Sequence, residues 1–159
     1  MKLSIVVPCY NEEPVLQETT ARLSAVLDSL IEKQKISSDS FILYVNDGSR
    51  DKTWTLIMSL HEGNPYVKGL NLAGNVGHQN ALMAGLMVAK EYADILVSID
   101  ADLQDDVSVI EEMVDRYKEG YDIVYGVRSS RDSDTFFKKN TALAFYKLMS
   151  WLGVKSVYN

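Results

Sequence analysis

One cysteine, Cys9, in 159 residues leaves no partner for a disulfide and no thiolate set for a structural zinc site. Two histidines, His61 and His78, are too few for a histidine-rich metal centre. Three prolines and nine glycines exclude collagen-like and low-complexity segments, and 47% apolar residues exclude disorder along the whole chain. No apolar run approaches the ~18 residues of a membrane helix. Residues 1–8 hold too short an apolar run for a signal peptide. The chain therefore reads as soluble and cytoplasmic, with length for one domain and a real core.

Three catalytic signatures are missing as well. No G-x-G-x-x-G follows the first apolar run, and neither G-x-x-x-x-G-K-[ST] nor G-x-S-x-G occurs. Dinucleotide-binding dehydrogenases, P-loop enzymes and nucleophile-elbow hydrolases are disfavoured accordingly. A basic excess is also absent, since the net charge is −6, which argues against nucleic acid as the main partner. The charge is unevenly spread. Residues 1–127 carry a net of −10, whereas residues 128–159 carry +4.

What is present is an alternation. Apolar, β-rich runs at 3–7, 41–46, 66–72, 95–99 and 122–125 predict strands, most of them continuous, as for strands covered on both faces. Between them, helical spacing predicts helices over 14–34, 51–61, 80–90 and 107–119, the first with Leu16, Thr20, Leu23, Leu27 and Leu30 as one stripe. Asp51 is placed to cap the second, and Gly120 to end the fourth. This β-α order implies an α/β doubly wound, mostly parallel sheet with helices on both faces. A last helix is expected over 135–152. A new element then starts at Val154, which points to a fragment of a longer chain.

In such a sheet ligands bind beyond the carboxyl ends of the strands, where the strand order reverses. The segments following the strands here gather polar, acidic and glycine residues. The sharpest is Ile99-Asp100-Ala101-Asp102, in which a buried strand runs into two carboxylates. In extended backbone, residues two apart point the same way, so both carboxylates can meet one target. Paired carboxylates repel unless a cation lies between them, and Mg²⁺ or Mn²⁺ takes oxygen ligands. Gln104 can add an amide oxygen. The alternative is simple capping of the next helix, a role that suits Asp105 and Asp106. Asp47, before Gly48, is either an acceptor for a base or ribose or part of a turn. Cys9 reads as a packing residue. His78 is not counted, because a solvated loop histidine is commoner than a catalytic one.

Four segments in order resemble the family 2 glycosyltransferases of GT-A fold, and within them the polyprenyl-phosphate glycosyltransferases. They are Val6-Val7-Pro8-Cys9-Tyr10-Asn11-Glu12-Glu13, Val45-Asn46-Asp47-Gly48-Ser49-Arg50-Asp51-Lys52-Thr53, Asn75-Val76-Gly77-His78-Gln79-Asn80-Ala81-Leu82 and Ile99-Asp100-Ala101-Asp102-Leu103-Gln104-Asp105. A fifth runs from Gly120 to Arg128, followed by Asp134-Thr135-Phe136-Phe137-Lys138-Lys139. The family usually has proline after the aspartate at 105, where Asp106 stands here, a change at a helix start.

The resemblance implies that residues 1–127 form a nucleotide-sugar-binding core. In it Pro8, Tyr10, Glu12 and Asp47 hold the nucleotide of a sugar donor, and Asp100 contacts its nucleotide or sugar side. It further implies that Asp102 and Gln104 ligate a Mg²⁺ or Mn²⁺ ion on the diphosphate, and that Arg128, Lys138 and Lys139 meet donor or acceptor phosphate. Asp100 and Asp102 are the implied catalytic pair, with any general base beyond Asn159. The implied reaction is inverting transfer of a hexose from a UDP- or GDP-sugar to polyprenyl phosphate at the cytoplasmic face of a membrane. Residues 128–159 then begin an acceptor and membrane-proximal region. Their Phe136, Phe137, Phe145, Tyr146 and Trp151, set among lysines, suit either a membrane surface or ordinary packing. Transfer to a saccharide hydroxyl and a non-catalytic scaffold of the same fold are the alternatives.

Overall fold

The computed structural model describes residues 1–102 and 104–126. Strands and helices alternate along them: β1 (Leu3–Cys9), α1 (Leu16–Glu32), β2 (Phe41–Asn46), α2 (Thr53–Gly63), β3 (Val67–Asn71), α3 (His78–Ala89), β4 (Ile95–Ser98) and α4 (Val109–Lys118). All pairings are parallel, in the order β3-β2-β1-β4. The chain steps outward twice on one side of β1, then crosses to its other side. Right-handed crossovers require the helix of the reversed step to lie on the opposite face.

The packing agrees. Leu3, Ile5, Val7 and Cys9 of β1 meet Leu23 and Leu27 of α1, Ile57 of α2 and Ile110 of α4. Val6, Leu43 and Val45 face the other way, against Ala81 and Ala89 of α3. With both faces covered, every second residue has an apolar neighbour whichever way it points, hence the unbroken apolar runs. On its own face α3 lies very close to the sheet. A Cβ at Gly85 would stand 2.6 Å from side-chain carbons of both Val6 and Val45. Cys9 is buried and packed, as expected, and burial, then Glu12 and Asp51, push its thiol pKa upward, so it is no thiolate.

The helix ends follow their local chemistry. Asp51 accepts the Thr53 N–H at 2.9 Å, and Asp106 accepts the Ser108 N–H at 2.9 Å. Gly120, at φ +99°, closes α4 with Gly120 N–H to Tyr117 O and Tyr121 N–H to Arg116 O, which satisfies carbonyls of the last turn.

One expected strand is absent. Residues 122–125 are irregular, with Ile123 69% and Tyr125 82% exposed. A strand needs a neighbour to complete its ladder, and none pairs with this segment among the described residues. The helix expected over 135–152 lies outside those residues.

An ion cluster ties the end of α1 to α4. Lys33 and Lys35 reach Glu111 at 2.6 and 2.7 Å, and Lys35 reaches Asp115 at 2.7 Å. Hydrogen bonds from Lys33 and Lys35 draw the Glu111 carboxyl from 4.5 to about 2. A carboxyl depressed in the folded state stabilises above its unfolded pKa and ceases to as pH falls through the folded one. Glu111→Gln is therefore expected to lower the thermal midpoint at pH 7. Its deficit against wild type should vanish between about pH 5 and about pH 2. A deficit that ignores pH would exclude the ion pairs as its source.

Candidate functional site

The strand order reverses between β1 and β4, so a crevice opens at their carboxyl ends. β4 pairs with β1 only from Leu3 to Val6, and Ile99 N–H to Val6 O is the last rung. Residues two apart in a parallel strand bond on the same side. Pro8 thus faces the crevice with no N–H to leave unsatisfied. A cleft of about 180 Å³ lies here, lined by Pro8, Leu82, Ser98, Ile99, Asp100 and Asp105.

The segments after β1 and β2 are stitched together by side chains bonding to backbone. Asn11 N–H donates to Ser49 Oγ at 3.0 Å, and Arg50 N–H donates to Asn11 Oδ1 at 2.8 Å. Glu12 N–H donates to Thr53 Oγ1 at 2.8 Å, and Lys52 N–H donates to Glu13 Oε2 at 3.1 Å. Asp51 closes the set by accepting Glu13 N–H at 3.2 Å. Asn11 sits at φ +58°, a conformation Asn tolerates better than most residues. Much of the polar content of these motifs therefore builds the wall of the crevice. On the same segment Tyr10 is exposed and Glu12 half-buried.

Asp47 is 2% exposed. Its Oδ1 accepts Val76 N–H at 2.6 Å and its Oδ2 accepts Gly77 N–H at 3.0 Å, so it binds the segment between β3 and α3. That segment leads directly into His78, the first residue of α3, whose Nε2 lies 3.6 Å from Asp100 Oδ1.

The acidic residues of these segments feel one another's charge. Burial first, then the charges of Asp102, Asp51 and Asp100, raise the pKa of Glu12. Among the described residues neither Asp100 nor Asp102 pairs with a lysine or arginine. The extended geometry expected between them is not what forms. The strand ends at Ser98 and the chain turns at Ala101 and Asp102, with Asp102 Oδ1 accepting Gln104 N–H at 3.1 Å. The Ala101 methyl is buried in the core and its carbonyl accepts the Thr19 hydroxyl at 2.7 Å. With Ala101 pinned inward, Asp100 and Asp102 both stand exposed on either side of it.

This donor set fits Mg²⁺ or Mn²⁺ in one particular way. No group of three His, Cys, Asp or Glu side chains among the described residues is placed to hold a metal alone. Mg²⁺ typically binds through one or two carboxylates plus substrate phosphates, and the two exposed carboxylates here suit that mode.

Of the expected site residues, Pro8 and Asp100 line the cleft; Glu12 lies within reach of the charges of Asp100 and Asp102, Gln104 N–H bonds to Asp102, and Tyr10 is exposed on the segment after β1. Asp47 is buried and bonds to the Val76 and Gly77 N–H groups. Arg128, Lys138 and Lys139 lie outside the described residues. Thr19 escaped the sequence reading, and His78, set aside there as a solvated loop histidine, lies 3.6 Å from Asp100. A histidine at a helix start gives no signal of the distant carboxylate it meets, and Thr19, beside the leucine stripe rather than in it, carries no local signal of its bond to Ala101.

The family model described as glycosyl transferase family 2 matches residues 4–156. The chain belongs to glycosyltransferase family 2. Among its relatives, the uncharacterized glycosyltransferase YkoT of Bacillus subtilis (strain 168) is 59% identical over 157 residues, covering 99% of this chain and 47% of that protein. The bactoprenol glucosyl transferase of Shigella phage SfV is 37% identical over 151 residues, covering 93% of this chain and 46% of that protein. The chain spans about half the length of these curated relatives. In fold it resembles S. aureus TarS 1-349 in complex with UDP-GlcNAc, with TM-score 0.58 at 20% identity over 85% of this chain and 39% of that one. The expected GT-A fold is therefore the observed one. Among the described residues no helix of this glycosyltransferase chain is long and apolar enough to cross a membrane.

Proposed function

We propose that this family 2 glycosyltransferase chain is the donor-binding part of an inverting, metal-dependent enzyme moving a hexose from a UDP- or GDP-sugar to polyprenyl phosphate. The observation that carries the reading is the exposed Asp100–Asp102 turn at the β1–β4 switch point, which no lysine or arginine among the described residues meets and whose charges reach Glu12. Relatives named as bactoprenol glucosyl transferases support the lipid acceptor, and a structural neighbour solved with UDP-GlcNAc supports the donor class.

In this reading Tyr10 offers its exposed ring to the base, while Pro8 and Glu12 line the nucleotide's path. Asp102, with Gln104 alongside, would hold the cation, and Asp100 would contact the nucleotide or sugar side. When bound, that cation neutralises the diphosphate and the charge it gains as it leaves. A lipid phosphate has a second pKa near 6, so at neutral pH it is largely ionised and attacks without a base. One phosphate oxygen bonds to the anomeric carbon as the bond to the diphosphate breaks. The bonding pair departs with the nucleoside diphosphate. Arg128, Lys138 and Lys139 would meet donor or acceptor phosphate, and the aromatic, basic segment 128–159 would lie at the membrane surface.

Calorimetry with UDP and GDP, with and without Mn²⁺, tests the reading. The expected result is nucleotide binding that Mn²⁺ tightens by about tenfold or more, roughly 1.4 kcal/mol. Absence of nucleotide binding, or binding indifferent to Mn²⁺, overturns it. With the full-length enzyme, lipid phosphate rather than an oligosaccharide should accept the sugar.

A further inference from the structure

We infer that His78 is a positioning residue for Asp100: its imidazole holds the Asp100 carboxylate at the crevice in the orientation the donor meets. The inference rests on the donor-site reading above and adds to it the residue that aims one of the two aspartates.

Asp100 stands where the sheet stops supporting the chain. Ser98 ends β4, Ile99 N–H to Val6 O at 3.2 Å is the last rung, and Asp100 is exposed just beyond it. Its neighbours have their own restraints, Ala101 through the Thr19 hydroxyl and Asp102 through the Gln104 N–H. The Asp100 carboxylate is met by His78, with Nε2 3.6 Å from Oδ1, and no lysine or arginine among the described residues shares it. An Nε2–H donates to a carboxylate whether the ring is neutral or charged. Contacts between site groups commonly tighten when the substrate arrives.

His78 is delivered by a stiff element. It is the first residue of α3, and Gly77, at φ +87°, turns the chain into that helix. Asp47 holds the Val76 and Gly77 N–H groups at 2.6 and 3.0 Å. Asn80 Nδ2 donates to Val76 O at 2.8 Å, and Ala81 N–H donates to Gly77 O at 3.0 Å, which closes the first turn. Leu82, one turn after His78 on the same helix face, lines the cleft together with Asp100. Two separate contacts thus turn this face of α3 toward the crevice. A ring on a helix seated against the sheet restrains a carboxylate on a turn, and removing a partner that orients a ligand in this way typically costs about 10- to 100-fold.

A double-variant cycle tests the inference, using Mn²⁺ and whichever of UDP and GDP binds wild type. His78→Ala should weaken binding by about tenfold or more. Its thermal midpoint should stay within about 2 °C of wild type, since the side chain is exposed. Asp100→Ala should weaken binding at least as much, and removing His78 from that variant should cost nothing further. His78→Gln, whose amide N–H can reach the same oxygen, should recover most of the affinity. In the full-length enzyme kcat/KM should follow the same pattern.

Wild-type affinity in His78→Ala overturns the inference. So do losses that multiply in the double variant, since His78 would then meet the nucleotide on its own. A midpoint that falls with the affinity, and that glutamine does not restore, also overturns it in favour of a role in the helix start. If wild type binds neither nucleotide, the proposed function fails, and the ring nitrogen resonances of His78 in the nucleotide-free protein decide the contact. Asp100→Ala should shift them clearly and Asp102→Ala far less; resonances that ignore Asp100→Ala overturn the inference by themselves.

Discussion

Replacing Asp102 with alanine is expected to abolish the Mn²⁺-dependent part of nucleotide binding. In the full-length enzyme it should cut turnover by about 100- to 1000-fold, the usual cost of removing a group that meets developing charge. Stability should move little, by about 0.5 kcal/mol or less, since Asp102 is exposed and among the described residues bonds to a neighbouring turn amide. The sign of any change is itself informative. Asp102 is the first of the charges that raise the Glu12 pKa, so its removal relieves a repulsion and should return Glu12 toward its ordinary range. Asp102→Asn keeps an oxygen but loses the charge and should fall between wild type and alanine. A variant with full metal dependence and full turnover would sink the proposed role. Kinetics and calorimetry on one preparation, with the thermal midpoint alongside, separate loss of function from loss of fold.

The largest stability effect should come from Gly85→Leu, far from any polar group. Glycine inside a helix costs about 1 kcal/mol relative to alanine, so its place in the middle of α3 needs a reason. Van der Waals distance supplies it. Even a single Cβ would sit 2.6 Å from Val6 Cγ1 and Val45 Cγ2, both on central strands. These valines are β-branched and stiff, so they yield only if the helix lifts. Leucine adds three further carbons to a packed interior, and about 3 kcal/mol is expected, the upper end of the usual overpacking cost. For a domain of this size that lowers the thermal midpoint on the order of 10 °C. Lifting α3 also carries His78 away from Asp100, so nucleotide binding should weaken even below the midpoint. A Gly85→Leu protein with wild-type midpoint and affinity would show that α3 does not approach the sheet this closely.

Both predictions join the local reading of the sequence to something it could not show. The apolar runs of β1 and β2 have no alternation, and that alone implied cover on both faces, which α1, α2 and α4 on one side and α3 on the other provide. The Asp51 cap and the Gly120 stop were legible because each depends only on residues a few positions away. The strand expected over 122–125 failed for the opposite reason: its composition suits a strand, but pairing is a long-range property. Asp47 illustrates the same limit at the site. A polar residue after a strand and before glycine reads equally as ligand or turn, and its actual partners, Val76 and Gly77, lie about thirty positions away.

The geometry of Asp100 and Asp102 also divides between the two levels. Their exposure on either side of a buried residue was implicit in their spacing. That a turn, held by the Thr19 hydroxyl on the Ala101 carbonyl, creates this arrangement required the packing of α1 against the loop.

By itself, the order of residues determined the α/β class, the placement of most elements and the family, because apolar periodicity, caps and short motifs are local and survive without neighbours. Tertiary structure alone decided which polar residues face the crevice and which hold its walls together. Hydrogen bonds between loops join residues far apart in the chain, and only the β3-β2-β1-β4 order brings those loops to one edge.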